Sequence, residues 1–319
     1  MQPLLEQFVL AADEVWRLQN NPGPECLFFR RAVVGVEAPY RGTLQGTYVF
    51  AASGKLLGRL NSSNPEAVAS MLEIALKEWT SLPETELHLE NPTDVAPGFR
   101  WEQSYPEDGL VLRRTGRDLP VVRDPAQVRA GRFNRDAVWF SAAEARSIFG
   151  QTPEQGQRQR LSADVVKRLS CLALVDNVRG QTVPYHPSED AGSEIWSEVI
   201  GVDGDSIELR LTGHTRARAE GPWLFESGSL WEPKEGRRWP HAISTTLLGS
   251  AIYSTKLGRF THFELLALGE REGRTINNGR RQDGEQGIGF VCELAPADWR
   301  VAPTFIDAYE AAWVTKPGD

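Results

Sequence analysis

The chain has 319 residues, 40 % of them hydrophobic and 24 % charged, which is length and apolar content enough for two domains with their own cores. A formal charge of −8 makes it a poor counterion for nucleic acid or anionic lipid, so neither is expected as a partner. No run reaches the ~18–20 apolar residues that span a bilayer. The opening MQPLLEQFVLAADEVWRLQ, with Glu6 early and no cation before Arg17, lacks the basic start of a secretory signal, so a cytoplasmic location and no membrane partner are expected.

The first element is an amphipathic helix over residues 4–19, where Leu4, Phe8, Ala11, Ala12, Val15 and Leu18 recur every three or four positions. Asn20 to Pro24 breaks it. Residues 46–60, GTYVFAASGKLLGRL, predict a hairpin that turns at Ser53-Gly54. A second helix follows, with Asn64 as N-cap and Pro65 in the first position, carrying a stripe of Val68, Met71, Leu72, Ala75, Leu76 and Trp79 before Leu82-Pro83 ends it. Residues 83–135 are rich in Pro and charge, with one clear strand from Gly109 to Arg113. Residues 138–140 form a short apolar strand or staple, and Ser141 with Glu144 is a capping box that opens a short helix to about Phe149. The polar stretch 150–162 reads as a surface loop.

From Val165 on, a period of two sets in. Leu169 to Val175 reads as an apolar strand, followed by a loop from Asp176 to Asp190. Glu194 to Val202 and Ser206 to Ala219 are long strands, the second alternating Ile207, Leu209 and Leu211 with Glu208, Arg210 and Thr212. A three-residue loop at Asp203-Gly204-Asp205 sets Val199 opposite Leu209, and a two-residue turn shifts that register; both stay open. Thr246 to Ser254 pairs with Arg259 to Leu268, with Tyr253 against Phe260 and Leu248 against Leu265. Gln286 to Leu294 is a last strand, and a short closing helix is expected within Asp298 to Trp313, aligning Phe305, Tyr309 and Trp313. Sequential antiparallel strands of this kind favour a meander, either closed as a barrel or left as a bent open sheet.

The run GTYVFAASGKLLGRLNSSNPEAVASMLEIAL resembles the second half of a thioredoxin fold, over residues 1–82 at most. Thioredoxins carry a Cys-x-x-Cys pair at the start of their first long helix; the nearest equivalent here is Gly23-Pro24-Glu25-Cys26, with one thiol, and Gly46 stands where the family has its cis-proline. One thiol attacks but none resolves, so the family's redox cycle cannot close within this segment. The stretches LVDNVRGQT (174–182), GSAIYSTKLGRFTHFELLALGEREG (249–273) and RVAPTF (300–305) make the whole chain similar to an uncharacterised bacterial family that joins a thioredoxin-like head to a β-rich tail. The resemblance implies an α+β architecture: a thioredoxin-like α/β head at 1–82, a connector with short strands and a helix at 83–162, and an antiparallel meander or barrel-like domain at 163–319.

Usable GxSxG, Walker A, HExxH and GxGxxG motifs are absent. The three cysteines, Cys26, Cys171 and Cys292, are odd in number and far apart, so they form neither a disulfide framework nor a zinc spacing, and neither a metal nor another cofactor is expected. Cys171 and Cys292 sit in apolar runs and read as buried thiols. Cys26 stands near a helix start, a place that lowers a thiol's pKa, but the Leu27-Phe28-Phe29 that follows points to burial. Arg210, His214 and Arg216 share the polar face of one strand, and His262 shares a face with Phe260 and Glu264 of another; facing inward they would grip a polar or anionic ligand, facing outward they are solvated. The basic group Arg216, Arg218, Arg237 and Arg238 reads as a solvated loop face. Asp176, Asn177 and Arg179 follow a strand, where such side chains stabilise turns. Together these features describe a non-enzymatic protein that binds a small molecule or a protein partner through its β-domain. The alternative is a thioredoxin-like single-thiol redox protein using Cys26.

Overall fold

The computed structural model describes residues 2–13, 15–89, 91, 104–119, 133–150, 152–180, 182–221, 239–273, 278, 280 and 285–306. Arg237, Arg238, Tyr309 and Trp313 lie outside them. The chain divides into two compact units, Met1–Arg100 and Trp101–Asp319. None of the described helices is long and apolar enough to cross a membrane.

In the first unit the expected helix over 4–19 is two short ones, α1 (Gln2–Leu5) and α2 (Val15–Asn20). Short helices persist through tertiary packing, and these two have different partners. Leu4, Leu5 and Phe8 pack on a small core of Val49, Leu57, Leu72 and Ala75, whereas Val9 and Leu10 between them are exposed. The end of α2 is tied instead to the next helix, α3 (Pro24–Val34), whose buried Arg30 donates to the Leu18 and Asn21 carbonyls at 3.0 and 2.8 Å. The predicted hairpin forms from β1 (Thr47–Phe50) and β2 (Leu56–Leu60), antiparallel. Helix α4 (Pro65–Trp79) begins as its sequence predicts: the Asn64 side chain accepts from the Glu66 and Ala67 amides at 2.8 and 3.1 Å.

The second unit is built on an eight-stranded, all-antiparallel sheet. Its strands are β3 (Leu110–Asp118), β4 (Phe133–Phe140), β5 (Arg158–Arg160), β6 (Glu194–Asp203), β7 (Ser206–Gly221), β8 (Trp239–Ser254), β9 (Arg259–Gly273) and β10 (Gln286–Leu294). Strands β5 to β10 form a meander in sequence order, and the β3–β4 hairpin joins it through β3 against β10. The order β4-β3-β10-β9-β8-β7-β6-β5 leaves β4 and β5 as separate edges, so the sheet is open and does not close as a barrel. The strand seen in sequence from Gly109 to Arg113 runs on to Asp118 and is internal to this sheet.

Alternation decides the two faces, as expected from β7, where Ile207, Leu209 and Leu211 are buried and Glu208 and Arg210 exposed. Two bulges set the registers. The β6–β7 turn is the two-residue Gly204-Asp205, with Gly204 in the left-handed region at φ 54°. A bulge at Ile200 then restores the pairing of Val199 with Leu209. In the β8–β9 hairpin Tyr253 opposes Phe260 as expected, but Thr261 is an extra residue, so Leu248 opposes Leu266 and not Leu265. Leu265 therefore faces the core at 1 % exposure while Leu248 is 59 % exposed. The same bulge separates His262, which is exposed, from Phe260, which is buried.

Helices cover the inner face. Helix α5 (Ala142–Ser147) opens with the predicted capping box of Ser141 and Glu144. Helix α6 (Ala163–Lys167), capped by Ser162, continues as a π-helix over Arg168–Ala173, where a strand was expected. All six residues of that π-helix are buried. A continuous apolar run of this length carries no polar face to reveal its period, which is why it reads as a strand. Glu144 also pairs with buried Arg168 at 2.7 Å, tying the α5 cap to the π-helix.

Candidate functional site

Arg210, His214, Arg216 and His262 all project from the outer, exposed face of the sheet, the first three on β7 and the last on β9 with β8 between. Each has a near neighbour. Arg210 pairs with Glu198 across β6 at 3.0 Å, and His214 Nε2 donates to the Gly192 carbonyl at 3.1 Å. His262 Nε2 lies 3.1 Å from Ser250 Oγ on β8, and the Arg216 amide donates to Ser193 Oγ at 2.9 Å while its side chain is exposed. The exposed Arg210–Glu198 pair contributes about 0–1 kcal/mol. Cys26 is the third residue of α3 and fully buried. Burial raises its pKa; Arg17, with Nη1 3.7 Å from the sulfur, draws it down and Glu25 pushes it up again. Burial likewise pushes Cys171 up to about 11 and Cys292 up to about 12.

The densest assembly of buried charge lies on the other side of the sheet, at one end. Strand β3 delivers Asp118 as its last residue, β8 delivers His241 and β9 delivers Arg271. The chain after the π-helix supplies Asp176, Asn177, Arg179, Thr182 and Tyr185, and Asn278 and Arg280 come from the segment between β9 and β10. Arg280 Nε donates to Asp176 Oδ2 at 2.8 Å and Nη2 to Asp176 Oδ1, a bidentate pair. The same Nη2 is 2.7 Å from Asp118 Oδ1, and Arg179 Nε donates to Asp118 Oδ2 at 2.7 Å. Arg271 Nε lies 3.7 Å from Asp176, while its terminal nitrogens donate to the Gly273 carbonyl at 2.7 Å and to Gln286 Oε1. Above this network the Tyr185 ring stacks on His241, with centroids 4.4 Å apart and planes 13° from parallel, and His241 Nε2 meets Thr182 Oγ1 at 3.2 Å.

The electrostatics follow from burial and pairing. Burial alone would raise the Asp118 carboxyl, but Arg280 and Arg179 outweigh it and hold the pKa below the usual carboxylate value. Arg280 is held protonated against its burial by bonds to Asp176 and Asp118. Burial lowers Arg271, and the neighbouring Arg280 lowers it further. His241 is pushed down to about 4, chiefly by burial, so it is neutral at pH 7. The Tyr185 hydroxyl is raised by burial and then by the nearby Asp176. Among the described residues no group of three or more His, Cys, Asp or Glu is placed to hold a metal ion.

Of the turn residues noted in the sequence, Asn177 does stabilise its turn, accepting from the Thr182 amide at 2.8 Å. Asp176 does not; it points into the charged network. Asp118, Tyr185, His241, Arg271 and Arg280 carry no local signature, because they sit on separate elements that meet only through the sheet. The visible hint was positional: an Asp and an Arg directly after a long apolar run in LVDNVRG, and a turn-rich NNGRR. No protein-family model, curated protein or solved structure matches this chain.

Proposed function

We propose that the protein binds a ligand through its β-rich unit without transforming it, and that the buried cluster around Asp176, Arg271 and Arg280 is the place where the ligand is held. One observation carries this reading. Buried polar groups are nearly always satisfied, yet here the Tyr185 hydroxyl, Asn278 Nδ2 and Arg280 Nη1 have no hydrogen-bond partner among the described residues, although all three side chains are almost wholly buried. The cluster gathers donors and charge, but its carboxylates are tied to arginines, His241 is engaged with Thr182, and no activated nucleophile accompanies them among the described residues. The outer face, with Arg210, His214, Arg216 and His262, offers a solvated surface for a protein partner but no enclosed set of unmet groups. The redox alternative draws less support, because Cys26 is fully buried and its thiol is raised rather than activated. A thermal-shift screen of metabolite-sized compounds on the full chain tests the proposal. Compounds that raise Tm are expected to do so less in Arg280→Ala and to be recovered chemically unchanged by mass spectrometry; chemical conversion of the bound compound, or stabilisation indifferent to Arg280, overturns it.

A further inference from the structure

The charges in the cluster do not balance. Three guanidinium groups, Arg179, Arg271 and Arg280, meet two carboxylates, Asp118 and Asp176, which leaves one positive charge in excess among the described residues that touch one another. Arg271 and Arg280 are 2 % and 4 % exposed and face the two buried carboxylates, while Arg179 is partly exposed, so the surplus charge sits at the rim of the cluster on Arg179. The unmet polar atoms are mostly donors, with Asp118 Oδ1, which makes an ion-pair contact to Arg280 but no hydrogen bond, as the acceptor among them. The Tyr185 hydroxyl, Asn278 Nδ2 and Arg280 Nη1 can each donate, and the Asn278 and Arg280 nitrogens cannot accept. Arg271 Nε has only its long contact to Asp176.

A partner that satisfies the unmet donors must bring several acceptor atoms, and the net positive charge of the cluster favours one that is anionic. A cation would add to the surplus, and a neutral apolar molecule would leave every donor unmet. Water accepts hydrogen bonds but leaves the charge in place. We infer that the cluster is an oxyanion site that takes the carboxylate or phosphate group of a small molecule, with Arg280 Nη1, Asn278 Nδ2 and the Tyr185 hydroxyl as donors. This rests on the binding reading above and specifies its ligand class. Asp176 and Asp118 fix the Arg280 guanidinium through three of its contacts and leave Nη1 free to donate. The stack on His241 fixes the Tyr185 ring.

Calorimetric titration of the purified full chain with sodium phosphate and with sodium acetate, against sodium chloride at equal ionic strength, tests this. Saturable binding of phosphate, acetate or both is expected, and their ranking separates a phosphate site from a carboxylate site. Tyr185→Phe removes an unpartnered hydroxyl and keeps the ring stack, so it should fold, and it is expected to weaken the bound anion by about tenfold or more, as the loss of a hydrogen bond to a charged group does. Asn278→Ala provides a second, independent loss of a donor. Failure of both anions to bind, or binding that neither substitution weakens, overturns the oxyanion site. If a neutral compound from the screen then binds in an Arg280-dependent way, the oxyanion class fails while the binding reading stands; if nothing binds, both fail.

Discussion

Arg280 grips Asp176 along two sides of its guanidinium, Nε to Oδ2 at 2.8 Å and Nη2 to Oδ1, although the two residues are 104 positions apart. Both are buried, so removing Asp176 takes the bidentate partner from Arg280 and leaves it Asp118 alone. Asp176→Ala takes from Arg271 its carboxylate neighbour and from Arg280 one of its two, and is expected to destabilise the protein by about 3 kcal/mol in urea unfolding. The double variant Asp176→Ala with Arg280→Met should cost clearly less than the sum of the two single changes, because the second removes the charge that the first exposed. Additive losses would mean that the pair does not act as a unit.

Much of the local architecture was legible because it is written locally. Asn64 caps α4, Ser141 and Glu144 form a reciprocal cap, and Tyr253 opposes Phe260, each through neighbours within a few positions. The junction that joins the β3–β4 hairpin to the meander was not legible. Strand β3 pairs with β10, and Arg113 reaches Glu293 across 180 positions, a contact that no local pattern encodes. The π-helix stayed hidden because burial on every side erases the polar half of its periodicity. The cluster combines both difficulties. Asp118 ends β3, Arg271 lies late in β9, and Asp176 follows the π-helix directly, so none is visible as part of a site until the topology assembles them.

The bulge at Thr261 has a consequence for stability. An uninterrupted hairpin would make Leu248 and Leu265 partners on one face with similar burial. With the bulge, Leu265 is in the core and Leu248 stands on the outer face at 59 % exposure. Leu265→Ala is therefore expected to cost about 2–5 kcal/mol, and Leu248→Ala no more than about 0.5 kcal/mol. Comparison of the two urea midpoints decides between the registers, since equal costs would restore the uninterrupted pairing.

His241 gives the cluster a pH signature. Burial depresses its pKa from 6.5 to about 4, with Arg271 lowering it and Asp176 opposing the shift. Above pH 6.5 the ring is neutral in folded and unfolded chains alike and adds no pH dependence. As pH falls from 6.5 towards 4, the unfolded chain takes up a proton at this ring that the folded chain refuses, so stability declines. Below about pH 4 both states are protonated and the loss levels off at about 3 kcal/mol, from 1.36 kcal/mol per pKa unit. Asp118 acts in a separate and lower window: its folded pKa is depressed, so its contribution is present above about pH 3.8 and fades as pH falls through the folded value. Urea unfolding at pH 7.0, 5.5 and 4.5 should therefore show a graded loss in the wild type. His241→Gln, which keeps a polar group near Thr182 but cannot titrate, should flatten that loss while leaving the decline below pH 4 intact. An identical pH profile in both proteins would place the titration elsewhere and remove His241 from the buried, neutral role that the Tyr185 stack assigns it.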